Sequence, residues 1–333
     1  MGKTHTAKLK ARQERLAKLP RSERLSKSAV IKKKEGRILN ASEKHAVKMS
    51  GDYGAIMAAW EELRTEADRK HKEGEDEFAG KIAAVDKVMK LIKPQFETAS
   101  RTPSMSRAIQ SCIKHGSPAQ LETILELLSN NFVKSCSDAY CHFVVCALLR
   151  HANRNLFRKM LNLILANMST LVGHKFGALV VHTAFTSKMC SAVDRDIIIL
   201  GVFKDSVAVM KQWKGYPVLE QIMENEPVHR KRLITALFAL LDKLVSQKEG
   251  FGYTFVQRLL CAFFKHGGKH EIQELAVTLK EHVAILCDTR EGSMLTAQLI
   301  AVLPPAQRKD ALNSFRTSEG GVVNLLPRSF PER

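Results

Sequence analysis

The chain has 333 residues, 45% of them hydrophobic, and a formal net charge of +18 at pH 7. This length and apolar content suffice for a substantial core, while sparse proline and few alternating β-branched runs favour an all-helical fold over a sheet protein. The positive charge indicates an anionic partner, for which nucleic acid is the commonest answer in a soluble basic protein.

The spacing of the cysteines, histidines and apolar residues argues against a metalloprotein, a disulfide-stabilised protein and a membrane protein. The 7 cysteines stand singly without a CxxC pair, and the 12 histidines show no zinc-finger or HExxH spacing, so we expect reduced thiols, no metal and no cofactor. No apolar run reaches the ~18 residues of a membrane helix, and we expect a soluble intracellular protein without membrane contact. No GxxxxGKS/T, GxSxG or HxE with PCxxC motif is present, which argues against an enzyme.

Residues 1–52 are predicted to form a basic, disordered tail. The first 50 residues contain 15 Lys or Arg and 4 Asp or Glu, with few large apolar residues whose burial could offset the entropy cost of ordering. Lys32, Lys33, Lys34 and Arg37 form a cluster that suits a phosphate-binding arm or a nuclear import signal. The two interpretations are compatible, and the pattern does not choose between them.

Two amphipathic helices are predicted between the tail and the first repeat. The segment 54–69 has helical apolar spacing, and Trp60 on its apolar face is expected to dock the helix. A second helix is predicted over 81–92, before Pro94 interrupts the chain. The two apolar faces comprise Ile56, Ala59, Leu63, Ile82, Val85, Val88, Met89 and Ile92.

Six similar segments follow at nearly constant spacing. They are SRAIQSCI, HFVVCALL, ALVVHTAF, YPVLEQIM, YTFVQRLL and SMLTAQLI, starting at Ser106, His142, Ala178, Tyr216, Tyr253 and Ser293, and separated by 36, 36, 38, 37 and 40 residues. A fixed period of this size predicts a stacked array of helical repeats. We therefore expect a repeat domain over 53–316, followed by a C-terminal tail over 317–333.

Each segment is predicted to be a helix with two distinct faces. Counted from the first residue of a segment, offsets +2, +3, +6 and +7 are almost all apolar, whereas offsets 0, +1 and +4 lie together on a different side at ~100° per residue. We therefore predict that one face packs between repeats and the other displays three side chains per repeat. Gly177, Gly215, Gly252 and Gly292 precede four of the segments, where a tight turn into a helix tolerates glycine.

The segment SRAIQSCIKHG, followed by NNFVKSCSDAYCHFVVCALLRHA, resembles Pumilio (PUF) repeats. The preceding AAWEELRTE and the basic N-terminus are similar to the Puf-A-like nucleolar branch of that family, which usually has a longer repeat array. The resemblance implies a right-handed α-solenoid that binds RNA with little sequence preference. It further implies a role in large ribosomal subunit assembly and rRNA processing, residence in the nucleus and nucleolus, rRNA and assembly proteins as partners, and a monomer outside the assembly particle.

In base-reading members of the family, offsets 0 and +4 bond a base edge and offset +1 stacks between bases. Only Ser106, Arg107 and Gln110 fully match such a set, so a base-by-base code is not expected. The residues predicted to contact RNA are Ser106, Arg107, Gln110, His142, Phe143, Lys175, Tyr216, Tyr253, Gln257 and Arg290. Two alternatives stay open: a helical scaffold for proteins, or a Pumilio-type post-transcriptional regulator that binds mRNA and controls translation.

Overall fold

The computed structural model describes residues 52–69, 77–203, 219–225, 227–246 and 250–317. Every regular element in these ranges is helical, and none of them is a strand, as the composition predicts. The chain divides into two compact units, one up to Gln120 and one from Leu121. The predicted tails lie outside the described residues, except for Asp52 and Thr317, which belong to the first and the last helix. The basic cluster also lies outside them; it comprises Lys32, Lys33, Lys34 and Arg37.

The first unit contains four helices: α1 (Asp52–Asp68), α2 (Glu77–Ile92), α3 (Phe96–Ser100) and α4 (Pro103–His115). A 3₁₀ turn at Lys93–Gln95 joins α2 to α3, where Pro94 was expected to interrupt the chain. Both predicted helices before the repeats are confirmed, and their apolar faces are buried except for the half-buried Ile82. The Trp60 indole Nε1 donates to Ser111 Oγ at 2.9 Å, so Trp60 docks α1 on α4 as predicted.

Helix α5 (Pro118–Ser129) spans the boundary between the units. The second unit continues with further helices, several of them joined by short turns. They are α6 (Phe132–Ser137), α7 (Cys141–His151), α8 (Arg154–Ala166), α9 (Met168–Val172), α10 (Lys175–Phe185), α11 (Ala192–Gly201), α12 (Leu219–Asn225), α13 (Pro227–Ser246), α14 (Thr254–His266), α15 (Lys269–Leu279), α16 (Val283–Leu286), α17 (Arg290–Val302) and α18 (Pro305–Thr317). Short 3₁₀ turns occur at Gly250–Gly252 and Lys280–His282.

We call α4, α7, α10, α14 and α17 the repeat helices, because they carry five of the six predicted segments. Offsets +2, +3, +6 and +7 of these helices form the core, with Ile300 alone half-buried among them. The predicted packing face is therefore confirmed. In the second unit α7 packs on α10, α10 on α14, and α14 on α17, so the repeat helices build one continuous apolar interior.

The fourth segment departs from the regular pattern. Its first residues, including Tyr216, lie outside the described residues, and its helix α12 begins only at Leu219. Helices α10 and α14, from the third and fifth segments, are in direct contact: the Phe185 and Phe255 ring centroids are 6.4 Å apart. An ion pair of 2.5 Å also joins Arg258 of α14 to Asp196 of α11, the helix that follows α10. Six equivalent segments were predicted, but the structure brings the helices of the third and fifth segments into direct contact.

Local sequence signals account for many helix ends. Pro103 occupies the first turn of α4, where its missing N–H costs no helical hydrogen bond. Asn153 caps α8 by accepting from the Leu156 N–H at 2.9 Å. Ser191 and Asp194 form a reciprocal capping box at the start of α11. These caps set where each helix begins and hence which side chains it exposes.

Candidate nucleic-acid interface

The exposed line of the repeat helices runs through offset +1. Arg107 is exposed, Phe143 is 43% exposed and Met294 is 54% exposed, while Leu179 and Thr254 are half-buried. Offset +1 lies ~100° around the helix from offset 0, which is enough to separate an outward residue from a covered one. In the first two segments the structure thus leaves offset +1 more accessible than offset 0, whereas in the sixth segment Ser293, Met294 and Ala297 are all exposed, as the three-residue display face predicts.

Offset 0 is buried in the first three segments, which corrects the predicted three-residue display face in those segments. Ser106, His142 and Ala178 are each 1% exposed. Neighbouring elements cover offset 0 in these segments. Ser106 and His142 were predicted to contact RNA, but their side chains are not accessible in this structure.

In the first segment the three matching residues divide their roles. The Gln110 amide donates to Ser106 Oγ at 3.1 Å, so two predicted edge readers bond to each other along one face of α4. Gln110 remains half-buried, and Arg107 is exposed. Arg107 is therefore the accessible member of the set that matched the base-reading pattern.

In the second segment His142 is part of an aromatic cluster. Its ring stacks on Phe176 with centroids 4.5 Å apart and planes 8° apart, and it lies 3.9 Å from the Phe143 ring. Its Nδ1 is 2.7 Å from the Asp138 carbonyl oxygen. Burial lowers the pKa of His142, so the ring is neutral at pH 7 and supports Phe143 without adding charge.

Lys175 adds a cation beside this cluster. It is exposed at the start of α10, and its Nζ lies 6.0 Å from the centre of the Phe176 ring. His174 also flanks Phe176, with ring centroids 5.8 Å apart. Sequence reasoning missed Phe176 and His174, because both precede the eight-residue window in which the segments align. The combination of an exposed Phe143 and an exposed Lys175 offers a stacking surface and a charge close together.

In the fifth segment the residue predicted to bond a base edge, Gln257, is buried. Gln257 is 0% exposed; its amide donates to the Phe251 carbonyl at 3.1 Å, and its carbonyl accepts from the Thr289 hydroxyl. Tyr253 is half-buried and stacks on His182, with ring centroids 5.0 Å apart. Gln257 was predicted to contact RNA, but its bonds belong to the joint between α14 and the start of α17. The ring of Tyr253 remains partly accessible to solvent.

Several other cations lie along the repeat helices. Arg290 in the first turn of α17 is exposed, as are Lys114 and Arg150 in the last turns of α4 and α7. Arg258 is engaged by Asp196 and is therefore less able to bind a phosphate. Arg107, Lys175 and Arg290, the three cations predicted to contact RNA, are all exposed.

Metal and membrane sites were also sought in the described part of the chain. Within the described ranges, no group of three or more His, Cys, Asp or Glu side chains is placed to hold a metal ion. Among the helices that the structure describes, none combines the length and apolar character that crossing a bilayer requires. Burial raises the pKa of the Cys261 thiol to about 11 and that of Cys190 to about 11, so both are poor nucleophiles at pH 7.

Comparison with known proteins identifies similar chains, although no protein-family model matches. Pumilio homology domain family member 6 of Schizosaccharomyces pombe is 24% identical over 257 residues, which are 77% of this chain and 39% of that protein. The protein of the same name from Saccharomyces cerevisiae is 23% identical over 261 residues, covering 78% and 39%. This chain thus spans about two fifths of the length of the curated relatives it matches.

A solved structure shows the same fold. The crystal structure of human Puf-A in complex with DNA superposes with a TM-score of 0.62 at 17% identity, covering 81% of this chain and 52% of that one. The arrangement of exposed and buried offsets can therefore be interpreted within a known repeat architecture.

Proposed function

We propose that the chain belongs to the Puf-A-like family of Pumilio-repeat proteins, to which it is similar in sequence and fold, and that it binds RNA through its repeat helices with little preference for base sequence. It acts by binding and not by catalysis. The resemblance to human Puf-A, whose structure was solved in complex with DNA, supports a nucleic-acid partner. The net charge of +18 supports it independently, because a phosphate backbone attracts such a chain.

Low specificity for base sequence is supported by the burial of the side chains at offsets 0 and +4, which read base edges in other members of the family. Reading one base needs a donor and an acceptor at offsets 0 and +4 of the same helix. Ser106, His142 and Ala178 are covered at offset 0, and Cys146 and Gln257 are covered at offset +4. None of the second-unit repeat helices among the described residues offers an accessible polar pair at these offsets. Recognition then rests on stacking and charge, which are tolerant of base identity.

A few accessible residues provide these two contributions. Phe143 presents a ring supported from behind by His142, and a base can stack on its open side. Arg107, Lys175 and Arg290 are the exposed cations that contact phosphates. Affinity built this way falls steeply with salt, because each phosphate contact releases counterions.

We further propose that the bound RNA is rRNA and that the protein acts in large ribosomal subunit assembly in the nucleolus. The family resemblance and the strong basic charge support this role. Regulation of particular mRNAs would require selective recognition of bases. The burial of side chains at offsets 0 and +4 argues against such recognition. Assembly proteins are proposed as further partners in the same particle.

The decisive measurement in cells is crosslinking of the protein to RNA followed by sequencing of the bound fragments. We expect rRNA of the large subunit and its precursors to dominate. Predominant recovery of one short motif in mRNA 3′ regions would contradict both the assembly role and the low specificity. In vitro, unlabelled competitors of different base sequence should displace a fluorescent oligouridine about equally well.

A further inference from the structure

An open groove of about 720 Å³ runs between α1 and α2 in the first unit. On α1 its lining residues lie on the opposite side from the buried Ile56 and Leu63, at ~100° per residue, so the groove faces away from the core. We call it the α1–α2 groove. Its small lining residues are Ala58 of α1 and Gly80, Ala83 and Ala84 of α2.

Carboxylates line the α1 side of this groove. Glu61, Glu62 and Glu66, which we call the groove glutamates, share one side of α1 through their helical spacing. Gly80 makes room for one of them, because Glu66 Oε1 occupies the place that a Cβ on residue 80 would take. Helix α1 has five acidic residues and one cation, in a chain whose net charge is +18. The groove is therefore a local exception to the basic character of the chain.

The ion pairs of the groove are exposed and can be exchanged. Glu62 pairs with Lys87 of α2 at 3.0 Å, and the two side chains are 59% and 66% exposed. Glu61 pairs with Arg64 on its own helix at 2.9 Å. Exposed pairs of this kind contribute little because water and salt screen them. An arriving cation can therefore replace either partner with little loss.

The basic N-terminal tail supplies both the charge and the apolar side chains that such a groove fits. Val30 and Ile31 immediately precede Lys32, Lys33 and Lys34, which we call the tail lysines. The aliphatic side chains suit the small lining residues, and the ammonium groups suit the groove glutamates. No acidic residue interrupts the segment 30–34.

The length of the intervening chain also suits this contact. Glu62 lies about 15 Å from Asp52 along α1, at 1.5 Å per residue. About 17 residues separate Lys34 from Asp52, and a disordered linker of that length, as the sequence predicts, has an r.m.s. span of about 20 to 25 Å. A linker whose span is near the distance to be bridged gives a high effective concentration. Docking within one chain is thus favoured over docking between chains.

We propose that the α1–α2 groove is the docking site of tail segment 30–34 of the same chain, with the tail lysines paired to the groove glutamates. The phosphates of RNA compete for the same lysines. Docking therefore lowers the affinity of the free protein for RNA, and RNA binding releases the segment from the groove. The docking itself does not depend on RNA, whereas the competition rests on the proposed function.

Carbodiimide crosslinking of the full chain without RNA tests the contact directly, because the reagent joins a lysine amine to a carboxylate that it touches. Mass spectrometry should find the tail lysines joined to the groove glutamates. A crosslink between Lys87 and Glu62 is the positive control. Glu97 and Glu224 are the control carboxylates, because each is exposed and ion-paired as Glu61 and Glu62 are.

The tail lysines should crosslink to the groove glutamates several-fold more often than to the control carboxylates, and equal crosslinking overturns the proposal. In an equal mixture of isotopically labelled and unlabelled protein, each crosslink should join segments of one isotopic composition. Mixed crosslinks would show that the tail of a second copy occupies the groove, which overturns docking within one chain. Saturating oligouridine should suppress the tail crosslinks and spare the one between Lys87 and Glu62; tail crosslinks that persist overturn the competition.

A groove-filling variant tests the competition without a change of charge. Ala83→Phe places a ring in the groove from an exposed position of α2. It should abolish the tail crosslinks and raise the affinity for oligouridine about 3- to 10-fold, the rise expected if about 70 to 90% of the free protein is docked. Ala55→Phe, at an exposed position of α1 outside the groove, is the matched control and should change neither. Crosslinks lost without a rise in affinity overturn the competition.

A charge variant covers the case in which the new ring disturbs α2. Glu61→Gln/Glu62→Gln should raise the RNA affinity more than Glu97→Gln/Glu224→Gln, which makes the same change of net charge elsewhere, and should weaken the tail crosslinks that remain to Glu66. Equal effects of the two variants overturn the proposal. A parent protein that binds RNA but shows no tail crosslinks contradicts the docking alone, and one that shows the crosslinks but binds no RNA contradicts the proposed function alone.

Discussion

The imidazole of His182 lies against the phenol ring of Tyr253, with centroids 5.0 Å apart and planes inclined by 27°. His182 belongs to the third repeat segment and Tyr253 to the fifth, so this pair marks the direct contact between α10 and α14. Within the described residues, His182 Nδ1 is buried without a hydrogen-bond partner. The contact therefore joins two repeats through a histidine that is best kept neutral.

Acid should weaken this joint. Burial lowers the pKa of His182, so the unfolded chain, with a histidine pKa of ~6.5, takes up the proton more readily than the folded protein. The stability contributed by neutral His182 is therefore present above ~pH 6.5 and is lost as the pH falls through the lower folded-state value. His142 and His266 act in the same direction, because burial lowers their pKa values too.

Replacing His182 with Phe tests this prediction, because Phe keeps a ring against Tyr253 and removes the titrating group. The loss in free energy of unfolding between about pH 7.5 and about pH 5, measured by urea denaturation, should be smaller in His182→Phe than in the parent. His270→Phe, at an exposed position, is the control and should leave that loss unchanged. Equal acid sensitivity in both variants would show that His182 does not contribute.

Gly177 should be intolerant of any side chain. A Cβ built on it would lie 2.4 Å from the carbonyl oxygen of Leu171, an atom of the backbone that cannot move aside cheaply. We expect Gly177→Ala to lower the free energy of unfolding by about 1 to 3 kcal/mol, as overpacking does. Gly252→Ala is the matched control, since no atom lies within 4 Å of its Cβ position. Chemical denaturation that finds the two variants equally stable would refute this packing argument.

Asp194 should contribute more to stability than an exposed partner in an ion pair. Its side chain is 2% exposed, accepts from the Ser191 N–H at 2.9 Å and pairs with Arg154 at 2.8 Å. Burial opposes its ionisation, but the bonds from Arg154 and Ser191 outweigh burial and hold its pKa below the usual range. Asp194→Ala should lower the free energy of unfolding by about 2 kcal/mol, through loss of the cap and of the pair.

The control for Asp194 is Glu61→Ala, which breaks the exposed pair with Arg64 at 2.9 Å and should change the free energy of unfolding by less than about 0.5 kcal/mol. The Asp194 contribution should also decline in acid. Its folded pKa is lowered, so the stability is present above the ordinary aspartate value of ~3.9 and is lost as the pH falls below it. A loss in Asp194→Ala no larger than in Glu61→Ala would contradict the assigned role.

Substitutions at Phe143 and Gln257 should have different effects: the first should weaken RNA binding, and the second should lower stability. Phe143→Ala should weaken binding of oligouridine by about 1 to 3 kcal/mol, the usual contribution of one stacked base, and leave the unfolding temperature nearly unchanged. Gln257→Ala should instead lower stability, since it leaves the Phe251 carbonyl and the Thr289 hydroxyl without their partner, while the RNA affinity of the folded protein stays near the parent value.

Fluorescence anisotropy and thermal unfolding of the same samples make this comparison, with Val277→Ala as the control for removing an exposed apolar side chain away from the repeat helices. If Phe143→Ala binds oligouridine as tightly as the parent does, stacking at offset +1 plays no part in recognition.

The amino-acid sequence by itself determined the helices and the side of each that is buried. The period of the six segments and the offsets +2, +3, +6 and +7 are local patterns, and helix geometry converts them directly into a packing face. Trp60 was assigned as a docking residue in the same way, from its place on the apolar face of α1, and the structure adds that its indole N–H donates to Ser111.

Only the tertiary structure decided which of the remaining offsets face solvent. Ser106 and His142 are covered because neighbouring elements lie over offset 0, and helical phase alone does not say how closely those elements approach. Gln257 is occupied by Phe251 and by Thr289 of the following repeat, a contact between residues far apart in the chain. The direct packing of α10 on α14 likewise depends on rings that meet across a whole segment. Local spacing determines what a helix can bury, whereas long-range packing determines what it leaves exposed for a ligand.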